Sequence, residues 1–241
     1  MKIGKFFIAI FFLALIDNSC HKDNRELFFP VKPHDFLSSS KYERLELDIV
    51  YVEGFQPTSQ TISQIESFLE ERLNKPSGIS VSYKSISSPG KSFYTKDDLD
   101  KVEKNERSHF TKGNTLTTFI FFADAPFSTS NVIGLTYGTT SFAVFEYTVH
   151  QNSGGIAQVS PYVLETTVAE HEFGHLFGLV DNGTKMQTYH LDAGNGNHCD
   201  NKYCLMYYTT ETTDILGNLT GGNIPQFDDH CIADLRENGG K

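Results

Sequence analysis

Tryptophan is absent from this sequence of 241 residues, methionine occurs three times and cysteine only four times. So few cysteines exclude a small disulfide-dense scaffold, and a single domain of about 200 residues buries enough surface to need no such framework. Cations are also scarce: 20 Lys and Arg stand against 30 Asp and Glu, a formal net charge of −10. That balance gives no attraction to phosphate backbones, so nucleic acid is not an expected partner. The apolar run from Phe6 to Ile16 falls short of the about 20 residues that a membrane-spanning helix takes. What the chain does have is core material: 39% of residues are hydrophobic, among them 20 Phe and 11 Tyr. Wholesale disorder is thereby excluded.

The N-terminus sets two lysines ahead of the apolar run and small or polar residues after it, which is the grammar of an export signal. Ser19-Cys20 resembles the end of a bacterial lipobox, with Asp17 and Asn18 departing from the usual apolar or small residues. The resemblance implies a signal peptide over 1–20, lipidation of Cys20 and attachment to a membrane through that lipid. The expected location is then the outer membrane or cell surface, or the periplasm or exterior if cleavage leaves no lipid. Residues 21–44 carry little periodicity and read as a tether, and 45–241 as one folded domain, expected to be a monomer. For an exported chain, a disulfide among Cys199, Cys204 and Cys231 is the default, with one thiol left over and the pairing open. A structural zinc site built from these cysteines is the less favoured reading, because no fourth ligand is obvious.

Along the body, periodicity predicts a strand at Leu45 to Val52, a helix at Thr58 to Leu73, a strand at Ile79 to Ile86, a charged helix at Lys96 to Phe110 and a buried strand at Leu116 to Ala123. Two further strands are expected at Val132 to Leu135 and Phe142 to Val149. Pro161 to Val180 reads as an apolar helix, followed by an irregular stretch to Gly222 and a short helix capped by Asp228 or Asp229. Alternation of strands and helices implies an α/β or α+β domain around a mixed, twisted sheet.

His171-Glu172-Phe173-Gly174-His175 is an HExxH motif inside the predicted helix. A four-residue step turns a helix by about 400°, so both imidazoles emerge on one face and can share a zinc ion, Zn2+, with Glu172 beside them as general base toward a metal-bound water. The chemistry that follows is hydrolysis of a protein or peptide substrate. A chance HExxH is disfavoured, since two imidazoles and a carboxylate are costly to bury without a metal or partners.

The longer string HEFGHLFGLVD adds Gly178 at the position where metzincins break this helix with a left-handed turn. His198-Cys199-Asp200-Asn201-Lys202-Tyr203-Cys204-Leu205-Met206 resembles the HCxxxxCxM block of archaemetzincins, and the likeness spans about Leu116 to Tyr208. It implies a zincin-like fold in which an irregular C-terminal lobe carries the third ligand and a Met-turn at Met206. Tyr208, two residues on, is then a candidate for oxyanion stabilisation, or a packed aromatic on the cleft wall. Two departures are evident: Leu179 to Asn197 intervene before the HC pair, and the family's later CxxC stands here as Cys231-Ile232-Ala233-Asp234. The third ligand is therefore open between His198, the preferred candidate, and Asp181, which matches the snapalysin pattern HExxHxxGxxD, with His190 behind both. His190 and Asp192 could equally form a calcium or hydrogen-bonding site. A substrate peptide is expected to lie along an exposed strand, with Phe142 to Val149 the candidate. The rival reading is a non-catalytic, zinc-containing surface lipoprotein that binds a peptide or glycan, for which a retained Glu172 has no use.

Overall fold

The computed structural model describes residues 30–219 and 222–241, so the expected signal peptide over 1–20 and the expected lipidation of Cys20 lie outside the described residues. The body, Val31–Lys241, is built on a five-stranded sheet in the order β2-β1-β3-β5-β4, where β1 is Arg44–Val52, β2 Ile79–Ile86, β3 Thr115–Phe122, β4 Gly134–Thr136 and β5 Ser141–Val144. The first four of these neighbours run parallel and β4 pairs antiparallel with β5. In β3 the two-residue period sends Ile120 and Phe122 to one face and Phe119 and Phe121 to the other, and both faces are buried. Helix α2 (Ser59–Arg72), with Thr58 as its side-chain N-cap, covers the first face together with α5 (Pro161–Leu176); α3 (Lys96–Glu106) covers the second through Leu99.

Three expectations need correction. Part of the expected tether belongs to the body: α1 (Pro33–Leu37) buries Phe36 and Leu37, and the buried Lys75 ammonium donates to the carbonyls of Asp35, Ser38 and Tyr42 at 2.8, 2.7 and 2.7 Å. Those bonds satisfy the carbonyls that follow a one-turn helix and fix the segment to β2's entry. The apolar run at Phe142 is not one long strand. It ends at Val144, and Glu146–Asn152 forms helix α4, because Phe145 N turns to Ile133 O (2.7 Å) and Tyr147 N to Ala123 O (3.1 Å). The edge strand is consequently β4, with β5 inside the sheet. Helix α5 stops at Leu176, four residues short of the predicted end, and Gly178 adopts φ +70°. A Cβ there would lie 2.5 Å from Pro33 Cγ, so the turn also needs glycine to let α1 approach. The last helix, α6 (Asp229–Glu237), is capped by the Asp228 side chain. No helix among the described residues is long and apolar enough to cross a membrane.

Candidate metal centre

Helix α5 begins where Ser160 accepts from Val163 N (3.3 Å) and Pro161 occupies the first turn, where its missing N–H costs nothing. Three turns later His171 and His175 face the same side, their Nε2 atoms 3.1 Å apart and their rings nearly perpendicular at 87°. His198 arrives from the irregular lobe, its ring 5.3 Å from that of His171 and 5.0 Å from that of His175. A fourth side chain joins them: Glu211 Oε2 lies 3.8 Å from both His175 Nε2 and His198 Nε2. One ligand atom from each of these four residues falls within 4.8 Å of the others.

The imidazoles are oriented by their far nitrogens. His171 Nδ1–H donates to Leu205 O at 2.7 Å and His198 Nδ1–H to Asn195 O at 2.6 Å, which fixes the tautomer and leaves each Nε2 lone pair bare. His198 Nε2 is buried with no hydrogen-bond partner. Burial, followed by the neighbouring histidines, holds His171 well below the usual imidazole range and pushes His175 down to about 3. The histidines of α5 are therefore neutral, the form that binds a metal. Three imidazole Nε2 atoms and one carboxylate oxygen converge within the span of one ion's ligands, so the donor set fits zinc.

Glu172 lies alongside. Thr136 on β4 donates to its Oε2 at 2.7 Å, while Oε1 is buried without a partner. Burial, then the charge of Glu211, holds its carboxyl above the ordinary range, against the Thr136 hydrogen bonds that lower it. Met206 is fully buried under α5 at Gly174. Asp181 is exposed, at φ +60° in the turn after Gly178, and stands apart from the four-residue group. Tyr208 opens a 3-10 turn, Tyr208–Glu211, and packs its half-buried ring on Tyr207 at 4.7 Å. From that turn it is Glu211 that reaches the histidines. Its role is not legible in the sequence, because one acidic residue in a polar stretch carries no spacing signal.

A second convergence lies behind the first. Cys199, Cys204 and Cys231 are buried free thiols, which corrects the expected disulfide. Cys204 Sγ is 3.6 Å from Cys231 Sγ, and His190 Nδ1 is 3.4 Å from Cys199 Sγ and 3.9 Å from Cys231 Sγ. His190 is thus placed here, and neither at the first group nor with Asp192: its Nε2–H donates to Asp234 Oδ2 at 2.8 Å, which turns a bare Nδ1 toward the sulfurs. Asp228 also borders the group, accepting from Cys199 Sγ at 3.3 Å. Backbone N–H groups of Met206 and Asp228 donate to Cys204 Sγ, each at 3.4 Å. Hydrogen bonds with the Cys199 and Cys231 thiols lower the Cys204 pKa; that of Cys199 is raised first by its bond with Cys204, and that of Cys231 by its bonds with Cys199 and then Cys204. Four ligands about 2.0–2.3 Å from one ion sit roughly 3.3–3.8 Å apart in a tetrahedron, close to the spacings found here.

No protein-family profile and no curated protein matches the chain. Among solved structures it resembles the crystal structure of archaemetzincin from Methanopyrus kandleri, with a TM-score of 0.52 and 17% identity over 81% of this chain and 96% of that one. The fold is therefore zincin-like α/β, of the kind found in that archaemetzincin.

Proposed function

We propose that this chain is a zinc-dependent endopeptidase in which His171, His175 and His198 hold the metal and Glu172 is the general base. The observation that carries this reading is the convergence of three imidazoles, two of them oriented by backbone carbonyls and one with a buried unpartnered Nε2, beside a carboxylate with one free oxygen. Zinc, when bound, supplies a Lewis acid that polarises the scissile carbonyl and brings the pKa of its water to about 7. Glu172 receives the proton on Oε1, since Oε2 is held by Thr136. As the water oxygen bonds to the carbonyl carbon and the C–N bond breaks, the same oxygen returns that proton to the leaving amine. The peptide lies antiparallel or parallel along the free edge of β4, which Thr136 ties directly to Glu172. Tyr208 takes the oxyanion-stabilising role that the Met-x-Tyr resemblance implies.

The thiol group with His190 is read as a structural zinc centre, its four donors Cys199, Cys204, Cys231 and His190, with Asp234 orienting the imidazole. The lipid anchor on Cys20 and export to the cell surface complete the proposal; Cys20→Ser is expected to move the protein from the membrane to the soluble fraction.

The test is cleavage of a mixed peptide library by zinc-loaded protein, with Glu172→Gln alongside. The variant is expected to retain its zinc and lose about 10²–10⁴-fold in rate. Zinc binding without cleavage in the wild-type protein would favour the rival, a surface lipoprotein that binds a peptide or glycan. His198→Ala should weaken zinc binding severely and Asp181→Ala hardly at all; the reverse result would transfer the third-ligand role to Asp181.

A further inference from the structure

Catalytic zinc sites keep three protein ligands and an open fourth position, whereas four protein ligands make a closed site. The α5 group supplies four. Glu211 is no passing surface carboxylate, for its backbone is pinned on both sides: Ile133 N donates to Glu211 O at 2.7 Å, and Thr212 bridges Val132 at the entry to β4. Its side chain points inward, 28% exposed, with Oε2 equidistant at 3.8 Å from two imidazole nitrogens.

The Nδ1 atoms of His171 and His198 are directed at backbone carbonyls, so these rings turn their Nε2 edges to one shared point, and Glu211 Oε2 reaches the same point. At 3.8 Å the carboxylate oxygen is beyond direct hydrogen-bond distance of both nitrogens, a spacing closer to that of ligands around a common ion than to that of a bonded pair. Ligands about 2.1 Å from zinc in a tetrahedron are roughly 3.4 Å apart, and the separations of 3.1, 3.8 and 3.8 Å bracket that value.

Resting on the zinc-peptidase reading, we infer that Glu211 is a fourth protein ligand, which closes the resting metal site and must leave the metal before a water can be activated there. Glu211 then acts as a built-in restraint. Its short 3-10 turn is tied to β4, the edge proposed to receive the peptide, so substrate addition at that edge and release of the carboxylate involve the same backbone. Glu172, held by Thr136 from the far side of β4's end, stays free for the proton.

The experiment uses the full chain loaded with cobalt(II) in place of zinc, together with Glu211→Gln, Glu211→Ala and His171→Ala. Metal affinity is read by competition with a chelator and coordination by the visible absorption of cobalt. Glu211→Ala is expected to weaken metal binding about 100-fold, the upper end of what loss of a supporting partner costs, and Glu211→Gln about 10-fold. The wild-type cobalt spectrum should stay constant between pH 6 and 9, because no water is bound to ionise; in Glu211→Ala it should titrate near pH 7, the range of a metal-bound water. Melting temperatures of the metal-free variants within about 2 °C of wild type confirm that the fold is kept, and Glu211→Gln, of the same shape, serves if the alanine variant does not meet that standard. A wild-type spectrum that titrates near pH 7, with affinity unchanged in both Glu211 variants, overturns the inference while leaving the zinc centre intact. Undiminished metal binding in His171→Ala overturns the zinc centre itself, and the inference with it.

Discussion

Gly174 is the residue of the motif at which a single methyl group should report on the whole centre. It faces Met206 from the middle of α5, and a Cβ built on it would overlap Met206 Sδ and lie 3.2 Å from Phe227 Cε1. Met206 is fully buried, so its side chain has no solvent to retreat into. Overpacking of this kind costs about 1–3 kcal/mol, and so deep an overlap puts the cost near the top of that range. Replacing glycine by alanine inside a helix returns about 1 kcal/mol. The net loss is about 2 kcal/mol, or a fall of about 4–8 °C in melting temperature for a domain of this size. The displacement also propagates, because Leu205, next to Met206, provides the carbonyl that orients His171. Metal affinity of Gly174→Ala should therefore fall about 10–100-fold, as when a supporting hydrogen bond is lost. Thermal unfolding without metal and chelator competition with it read the two effects separately. Gly138→Ala is the control: it is exposed, its Cβ meets only Ser141 at 3.4 Å, and it should stay within about 0.5 kcal/mol of wild type. A Gly174→Ala protein that melts and binds metal like wild type would refute the packing of Met206 under the motif.

Elemental analysis of protein purified under reducing conditions should give two zinc ions per chain, falling to one in His190→Ala and returning to two in His190→Cys, since a thiolate can take the imidazole's place. One zinc in wild type, or two in His190→Ala, would remove the second centre. Glu146, fully buried against Glu165 and 3.2 Å from His150 Nε2, is held up near about 10 by burial and then by the Glu165 charge. Its folded pKa is raised, so its contribution is fully present below the unfolded pKa near 4.5 and is lost as pH rises toward 10. Glu146→Gln should thus melt higher than wild type at pH 8 and show a much smaller advantage at pH 4.5; a constant difference across that interval would contradict the buried, protonated carboxyl.

Much of the sheet and its covering helices, from β1 to α5, was legible because local signals and tertiary outcome agree there. Thr58 and Ser160 cap the helices they precede, and the run TLTTFIFF is buried on both faces as a central parallel strand should be. The misreadings share a cause. Phe142 to Val149 is apolar throughout, but whether such a run continues as strand is decided by Ile133 and Ala123, partners distant in sequence that bend it into α4. Pro33–Leu37 reads as tether in the sequence because five residues carry no period, and only Lys75 and the space above Gly178 show why it docks. The HExxH pair was visible because helical spacing brings its imidazoles together without help from the rest of the chain. Glu211 and His190 depend wholly on the path of the irregular C-terminal lobe.

That path has little regular structure to hold it, and its organisation suggests why two centres occur together. Between Phe177 and Tyr207 the chain forms no helix or strand longer than an isolated bridge, yet it presents His198, the Leu205 carbonyl and Met206 to α5. Backbone bonds close this segment on itself, Cys199 N to Met206 O at 2.7 Å and Asp200 N to His190 O at 2.9 Å, and side chains such as His190 on Asp234 tie it to α6. The donors proposed for the second metal are its own residues His190, Cys199 and Cys204, with Cys231 from α6. A metal there would cross-link the segment to the terminal helix one residue from His198 and two from Met206, restricting the unfolded chain as well as the folded one. The insertion from Leu179 to Asn197 then has a definite use. It lengthens the loop that must be ordered, and it delivers His190 to the sulfurs, where Asp234, at the end of Cys231-Ile232-Ala233-Asp234, orients the imidazole from behind.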